Sequence, residues 1–234
     1  MKDDKHIDVE AEFDSFVRTY GGTVLKDTLP KNPTFNNADY VFPQHSTIAE
    51  LKCLQHDPST DPDFQKKVAA CWIKWHRAGI LPDEIPDMFR SDLLPANVFR
   101  ELKALYSANL RGVIKKANRQ IRETREALKL TGYKGLLLLA SDGNYALQPK
   151  TLQALTFEIL RGSCREIQNV VFFSVNMASS VPNSDSPAFL WIPYCRSEEV
   201  AMSEESMTSL AAGWKHHHES LLGKKLVDLG LPLQ

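Results

Sequence analysis

Residues 135–140, with the sequence GLLLLA, form an apolar run of strand length, and the largely apolar run at 170–175 is similar. Runs of this kind are typical of strands that are covered on both faces, as in a sheet flanked by helices. Both runs are far too short to span a bilayer. Because segments with helical periodicity lie between the apolar runs, the sequence predicts an α/β fold.

The other predicted elements alternate between helices and strands. Helical spacing of apolar residues predicts an opening helix over 7–20, ended by Gly21-Gly22, and a short strand at 23–28 follows. Two strand-like runs, 38–42 and 47–54, are separated by the turn sequence PQHS and predict a hairpin. The remaining predictions, in chain order, are helices over 64–78 and about 97–130, strand 135–140, helix 150–160, strands 170–175 and 189–194, and a helix over about 203–222.

Composition limits the classes of protein to which the chain can belong. With 234 residues, it can bury one large core, or one core with a substantial insertion. A net charge of −1 gives no global reason to expect nucleic-acid binding, so that function needs a local basic surface. The four cysteines have no zinc-site spacing, which favours free thiols in a reducing compartment. No apolar stretch follows the N-terminal MKDDK, so we expect a cytoplasmic protein without a secretory signal or membrane segment.

Charged residues interrupt the predicted hairpin. If its turn is centred between residues 44 and 45, Asp39 lies opposite Glu50, and their side chains project to the same face. Strand alternation adds Lys52 to that face. One interpretation is an exposed strand edge with an incidental ion pair. The apolar character of residues 49–54 instead favours a buried site in which the three side chains converge.

Two neighbouring carboxylates repel each other unless they are protonated or bridged by a cation. Asp39 and Glu50, with a backbone carbonyl such as that of Leu51, offer the oxygen ligands that Mg²⁺ prefers, and Mn²⁺ is expected to substitute. Lys52 beside such an ion could activate water or offset charge on a phosphate. The residues therefore predict the hydrolysis of a phosphodiester.

The pattern of Asp39, ten intervening residues and then Glu50-Leu51-Lys52 resembles the PD-(D/E)XK phosphodiesterase superfamily, although Ala38 stands where the name-giving proline would be. The resemblance implies a restriction-endonuclease-like αβββαβ core with a central mixed sheet. The core elements would be the helix at 7–20, the strands at 23–28, 38–42 and 47–54, a helix within 108–130, and strand 135–140. It also implies a first-helix glutamate at the metal, either Glu10 or Glu12, unless both only solubilise that helix.

The same resemblance predicts how the chain is divided. Residues 1–144 would form the nuclease-like core, including a helical insertion at about 58–108. Residues 145–234 would form a C-terminal α/β extension packed on the same core. In the insertion, the two tryptophans Trp72 and Trp75 are expected to pack between helices.

A basic stripe on the second core helix predicts contacts to nucleic acid. At 100° per residue, one face of this helix collects Arg111, Lys115, Arg119, Arg122 and Arg125. The alternative is a solvated face on which glutamates such as Glu123 and Glu126 form local pairs. Gln120 lies at the edge of the apolar side, where members of the superfamily often place a polar residue near the metal.

The leading hypothesis is a Mg²⁺-dependent endonuclease or exonuclease that acts on DNA, with RNA not excluded and a homodimer possible. Asp39, Glu50, Lys52, Gln120 and either Glu10 or Glu12 would form its catalytic site. The alternatives are a non-catalytic nucleic-acid-binding module and a protein-interaction module. The consecutive histidines 216–218 are not expected to chelate one ion, because neighbouring helical residues point 100° apart.

Overall fold

The computed structural model describes residues 6–55, 60–81, 94–142, 149–176 and 186–228. The described helices are α1 (Val9–Tyr20), α2 (Leu25–Thr28), α3 (Pro62–Arg77), α4 (Ala96–Ala127), α5 (Pro149–Ser163) and α6 (Glu204–Leu222). The described strands are β1 (Thr23–Val24), β2 (Tyr40–Phe42), β3 (Thr47–Leu54), β4 (Lys134–Asp142), β5 (Asn169–Val175), β6 (Ala188–Phe189), β7 (Trp191–Cys195) and β8 (Val227–Asp228). None of the helices in these ranges combines the length and apolarity needed to cross a membrane.

Six of the strands form a central mixed sheet in the order β1-β2-β3-β4-β5-β7. The first three strands pair antiparallel, β3, β4 and β5 pair parallel, and β7 returns antiparallel to β5. Strands β6 and β8 form a separate parallel pair. The prediction of an α/β fold with a central mixed sheet is therefore confirmed.

Strand β4 is the middle of the core. Its side chains alternate between two apolar clusters, so that Leu136 and Leu138 pack with α1 and α6, while Leu137 and Leu139 pack with α4 and α5. All four leucines are fully buried. The apolar run in the sequence thus corresponds to a strand covered on both faces, as predicted.

Helix α3 and the first half of α4 form a smaller cluster beside the sheet. Its buried members include Cys71, Val98 and Leu102, and Trp72 and Trp75 pack against them. The two tryptophans therefore pack against helices α3 and α4, as expected. Residues 82–93 of the predicted insertion lie outside the described residues.

The bounds of α1 follow from its two ends. Asp8 caps the first turn by accepting a hydrogen bond from the Ala11 amide at 3.1 Å, and Gly21 adopts a left-handed conformation with φ of 88° at the other end. The helix over 7–20 is thus confirmed to within two residues.

Three strand predictions need correction. The single strand predicted at 189–194 is divided into β6 and β7, because β6 pairs with β8 and β7 pairs with β5. The strand at 23–28 is wrong after Val24, where residues 25–28 turn into the short helix α2 and the Leu29 amide donates to the Leu25 carbonyl at 2.9 Å. The prediction for 38–42 begins too early, because the pairing of β2 with β3 starts at Tyr40. Short apolar runs do not distinguish one turn of helix from a strand by periodicity alone.

Gly135, at the start of β4, is expected to tolerate no side chain. A Cβ atom there would lie 1.9 Å from the backbone oxygen of Glu166 and 3.0 Å from a methyl group of Ile121. We predict that Gly135→Ala lowers the free energy of unfolding by about 3 kcal/mol, since the overlap is with backbone. Gly112→Ala on α4 is the matched control, with no heavy atom within 4 Å of the new methyl group. It should be neutral or stabilise by up to about 1 kcal/mol. Urea denaturation of both variants measures the difference, and equal stabilities would contradict the packing described for β4.

Candidate functional site

The hairpin of β2 and β3 has the register predicted from the sequence. Tyr40 pairs with Ala49, Val41 with Ile48 and Phe42 with Thr47, around a single 3₁₀ turn at Pro43–His45. Continuing this register by one residue places Asp39 opposite Glu50. Both carboxyl groups line a cavity of about 280 Å³ where β2 and β3 meet α1, α2 and α4. Its lining residues are Glu10, Asp14, Val24, Lys26, Asn37, Asp39, Tyr40, Glu50, Leu51, Lys52, Lys116 and Gln120.

Glu50 lies in the interior of the sheet, with a fully buried side chain. Strand β3 lies between β2 and β4 in the sheet, and helix α4 packs over the face from which Glu50 projects into the cavity. One carboxyl oxygen contacts the ammonium group of Lys52, and the other, Oε2, is buried without a hydrogen-bond donor. Burial, and secondarily the charge of Asp39, raise the pKa of Glu50 to about 8.

Asp39 is held in place by the backbone of the neighbouring strand. Its Oδ2 accepts a hydrogen bond from the Leu51 amide at 2.8 Å. Burial raises the pKa of Asp39, although the Leu51 amide and Lys52 oppose this effect. A protonated Glu50 can donate to Asp39, which relieves the repulsion between the two carboxyl groups. At neutral pH the pair therefore favours either a shared proton or a cation.

The structure separates the two candidate glutamates of α1. Glu10 lines the cavity, whereas an oxygen of Glu12 lies 3.4 Å from Nε2 of His217 on α6. The interaction with His217 directs Glu12 toward α6, and only Glu10 remains a candidate for the site.

The consecutive histidines of α6 occupy different surroundings. His216 is exposed, His217 stacks on Trp214 with ring centroids 5.6 Å apart, and His218 is buried. Burial lowers the pKa of His218 to about 4, so it is neutral at physiological pH. His217 and His218 therefore both stack on Trp214, whereas His216 faces solvent.

Asp14 and Lys26 also line the cavity, although neither was among the predicted site residues. Asp14 is only 5% exposed, forms an ion pair with Lys26 of α2, and accepts a hydrogen bond from the Tyr40 hydroxyl at 3.0 Å. A signal was present, because Asp14 follows Phe13 on the apolar side of α1, where an unpaired carboxylate is costly. No sequence feature pointed to Lys26, because residues 23–28 were predicted as a strand and the helix α2 was not expected.

Helix α4 contributes Gln120 and Lys116 to the cavity. Gln120 donates to the Asn37 carbonyl at 2.9 Å, and its own side-chain oxygen is buried without a hydrogen-bond donor. The Lys116 side chain is exposed at the cavity rim, and among the described residues it has no ion-pair partner. Lys116 was absent from the predicted stripe, which lies farther around the helix.

The residues of the predicted basic stripe differ in whether acidic side chains neutralise them. Arg111 and Lys115 are exposed and have no ion-pair partner in the described part of the chain. Arg119 and Arg122 lie 3.9 and 3.7 Å from the same carboxylate oxygen of Glu123. Arg125 contacts Glu166 and donates to the Tyr133 carbonyl at 3.2 Å, which ties α4 to the loops flanking β4 and β5. Arg125 therefore stabilises the core, and the accessible basic surface is centred on the first half of the stripe.

The residues around the cavity can be tested for their fit to a divalent cation. Within the described residues, no three or more His, Cys, Asp or Glu side chains come together as a metal site. Asp39 and Glu50 nevertheless supply two adjacent carboxyl groups, one of them with an orphaned buried oxygen. Mg²⁺ commonly uses one or two carboxylates and retains several waters. The donor set therefore fits Mg²⁺ and does not fit an ion that requires a cage of protein ligands.

The raised pKa of Glu50 predicts how the free energy of unfolding depends on pH. Because the folded pKa of about 8 exceeds the ordinary value of 4.5, the folded protein retains a proton that the unfolded chain releases. The free energy of unfolding should therefore fall as pH rises from about 4.5 to 8. We predict that Glu50→Gln removes this fall and is the more stable protein at pH 9, by at least about 1.4 kcal/mol.

Urea denaturation without divalent cations, repeated between about pH 5 and 9, measures this effect. Glu126→Gln, at an exposed position on α4, is the control and should follow the wild-type profile. If the free energies of unfolding of the wild type and Glu50→Gln depend on pH in the same way, the pKa of Glu50 is not raised in the folded protein.

Neither the protein-family models, nor the curated proteins, nor the solved structures compared with this chain gave a match.

Proposed function

We propose that the protein is a metal-dependent nuclease of the PD-(D/E)XK type, which hydrolyses phosphodiester bonds in DNA at the cavity between β2, β3 and α4. One observation carries the proposal. The buried carboxyl group of Glu50 lies opposite Asp39 and beside Lys52 in a polar cavity, an arrangement that is costly unless a proton or a cation occupies it.

The order and pairing of the elements support the proposed family. Helix α1 is followed by three antiparallel strands, β1 to β3, and then, after α3, by α4 and by β4 parallel to β3. Apart from α2 between β1 and β2, and α3 before α4, this order resembles the αβββαβ order of the superfamily, with Asp39 just before β2 and Glu50 and Lys52 on β3. Strands β5 and β7 extend the same sheet beyond this core.

The side chains of Asp39 and Glu50, with the carbonyl of Leu51, would hold Mg²⁺, and Glu10 lies in the same cavity. When bound, Mg²⁺ supplies a Lewis acid that polarises a phosphoryl oxygen and lowers the pKa of a coordinated water. Gln120 can orient a water through its unpartnered side-chain oxygen, which is buried beside the carboxyl groups.

Two lysines supply positive charge for the phosphate. Lys52, with a side chain only 20% exposed, stands beside Glu50 and can donate to a water or to a phosphate oxygen that approaches the carboxyl pair. Lys116, at the cavity rim and without an ion-pair partner among the described residues, can donate to a non-bridging oxygen.

The surface that would contact the nucleic-acid backbone continues along α4. Arg111 and Lys115 extend the positive charge of Lys116 away from the cavity, and Arg119 and Arg122 add to it while sharing Glu123. A local basic surface of this kind can bind phosphates although the whole chain carries a net charge of −1.

A second candidate is a nucleic-acid-binding module that retains this fold without cleavage. The observation that favours it is the contact between Lys52 and Glu50, because an ammonium group already neutralises the carboxylate that would bind the metal. Salt-sensitive binding of DNA, without cleavage in Mg²⁺ or Mn²⁺, would favour this candidate.

Cleavage assays with single-stranded, duplex and nicked DNA test the leading proposal. The wild type should cleave in Mg²⁺ or Mn²⁺ and not in EDTA. Glu50→Gln and Lys52→Ala should each lower the rate by roughly 100-fold or more, because each removes a group that contacts the reacting atoms. Circular dichroism and urea denaturation must show that both variants fold. Cleavage that persists in Glu50→Gln at the wild-type rate would refute the proposed site.

Glu10 and Glu12 form a matched pair for a second test. Glu10→Gln should weaken cleavage and the Mn²⁺ dependence of stability, because Glu10 lines the cavity. Glu12→Gln alters the contact with His217, which lies away from the cavity, so its cleavage rate should stay within about twofold of the wild type. The reverse result would show that Glu12 turns toward the metal in the working enzyme.

A further inference from the structure

Helix α4 contacts the chain just before Asp39 through three side chains, Gln120, Glu123 and Thr124. We propose that Thr124 and Glu123 are positioning residues, which hold residues 36–38 so that the Asp39 carboxyl group faces Glu50. This inference rests on the proposed function, because the position of Asp39 matters for catalysis only if Asp39 binds the metal.

Thr124 makes the most buried of these contacts. The Ala38 amide donates to its hydroxyl oxygen at 2.7 Å, and both residues are fully buried. The pairing of β2 with β3 begins only at Tyr40, so this amide lies outside the β2–β3 ladder. Without the Thr124 oxygen, the Ala38 amide would be a buried donor without an acceptor, which costs about 1–3 kcal/mol.

Glu123 holds the preceding residues. Its Oε2 accepts from the backbone amide of Asn36 at 2.8 Å and from the Asn36 side chain at 2.6 Å. These two hydrogen bonds lower the pKa of Glu123 and keep it charged. Gln120 completes the arrangement by donating to the Asn37 carbonyl at 2.9 Å. Residues 120, 123 and 124 lie on one side of α4, as three- and four-residue spacing requires.

Asp39 is therefore fixed from both directions. On its N-terminal side, α4 holds three successive residues, 36 to 38, by hydrogen bonds. On its C-terminal side lies the β2–β3 ladder. Between them, the Asp39 carbonyl accepts from the Leu25 amide at 2.8 Å, and its carboxyl group accepts from the Leu51 amide at 2.8 Å. Loss of the α4 contacts frees the backbone on one side of Asp39 and leaves the carboxyl group less well placed.

Thr124→Val tests the proposal, since valine has the shape of threonine but cannot accept a hydrogen bond. Thr124→Ser keeps the hydroxyl group, so it should preserve the hydrogen bond from the Ala38 amide and the position of Asp39. Ile121→Val is the control for lost stability, because Ile121 is fully buried one turn away and its shortening costs about 0.5–1.5 kcal/mol without removing a hydrogen bond to residues 36–38.

Two measurements are made on each protein. Hydrogen exchange of the Leu51 amide, relative to other amides of β3, reports whether the Asp39 carboxyl group still accepts from it. Isothermal titration calorimetry with Mn²⁺ measures the affinity of the Asp39–Glu50 carboxyl pair for the ion. In Thr124→Val we expect the Leu51 amide to exchange at least tenfold faster and Mn²⁺ affinity to fall at least fivefold. Glu123→Ala should produce the same changes to a smaller extent, because its contacts are nearer the surface. Thr124→Ser and Ile121→Val should resemble the wild type.

The outcomes separate this inference from the proposed function. Unchanged Leu51 exchange in Thr124→Val overturns the positioning role, whatever the metal affinity. Equal changes in Ile121→Val and Thr124→Val overturn it as well, because they would reflect lost stability alone. If the wild type binds no Mn²⁺ while Leu51 exchange responds to Thr124→Val, the placement of Asp39 by α4 stands and the nuclease proposal fails.

Discussion

The pairing of β3 on both of its edges is the constraint on which the site depends. Eight residues of β3 pair in parallel with β4, and its first three residues pair antiparallel with β2. Strand β3 is therefore an interior strand of the sheet, and α4 covers the face from which Glu50 projects. Glu50 is consequently buried in a core strand, where a carboxylate needs a partner.

The electrostatics of the cavity follow from that burial. Each buried or half-buried acid has a nearby cation or donor: Lys52 for Glu50, the Leu51 amide for Asp39, and Lys26 with the Tyr40 hydroxyl for Asp14. The compensation is least complete at Glu50, whose second oxygen has no donor and whose pKa is raised to about 8. Because this charge is incompletely compensated, the protonation of Glu50 and the proposed binding of Mg²⁺ would depend on the same carboxyl group.

Helix α4 connects this site to the molecular surface. One side of the helix packs on the sheet through Ile114 and Ile121, and its edge carries Lys116 and Gln120 into the cavity. The same edge holds the residues before Asp39 through Glu123 and Thr124. The exposed Arg111 and Lys115 extend the positive charge outward. The helix therefore supports the Asp39 carboxylate and also carries an exposed basic surface.

Local pattern was sufficient to predict the hairpin register, because strand alternation and turn length place Asp39 opposite Glu50. The apolar run of β4 likewise determined a strand covered on both faces. Periodicity could not reveal α2, the separation of Glu10 from Glu12, or the entry of Lys26 and Lys116 into the cavity. Those features depend on contacts between elements far apart in sequence, such as Glu12 with His217, and only tertiary packing decides which neighbour a side chain meets.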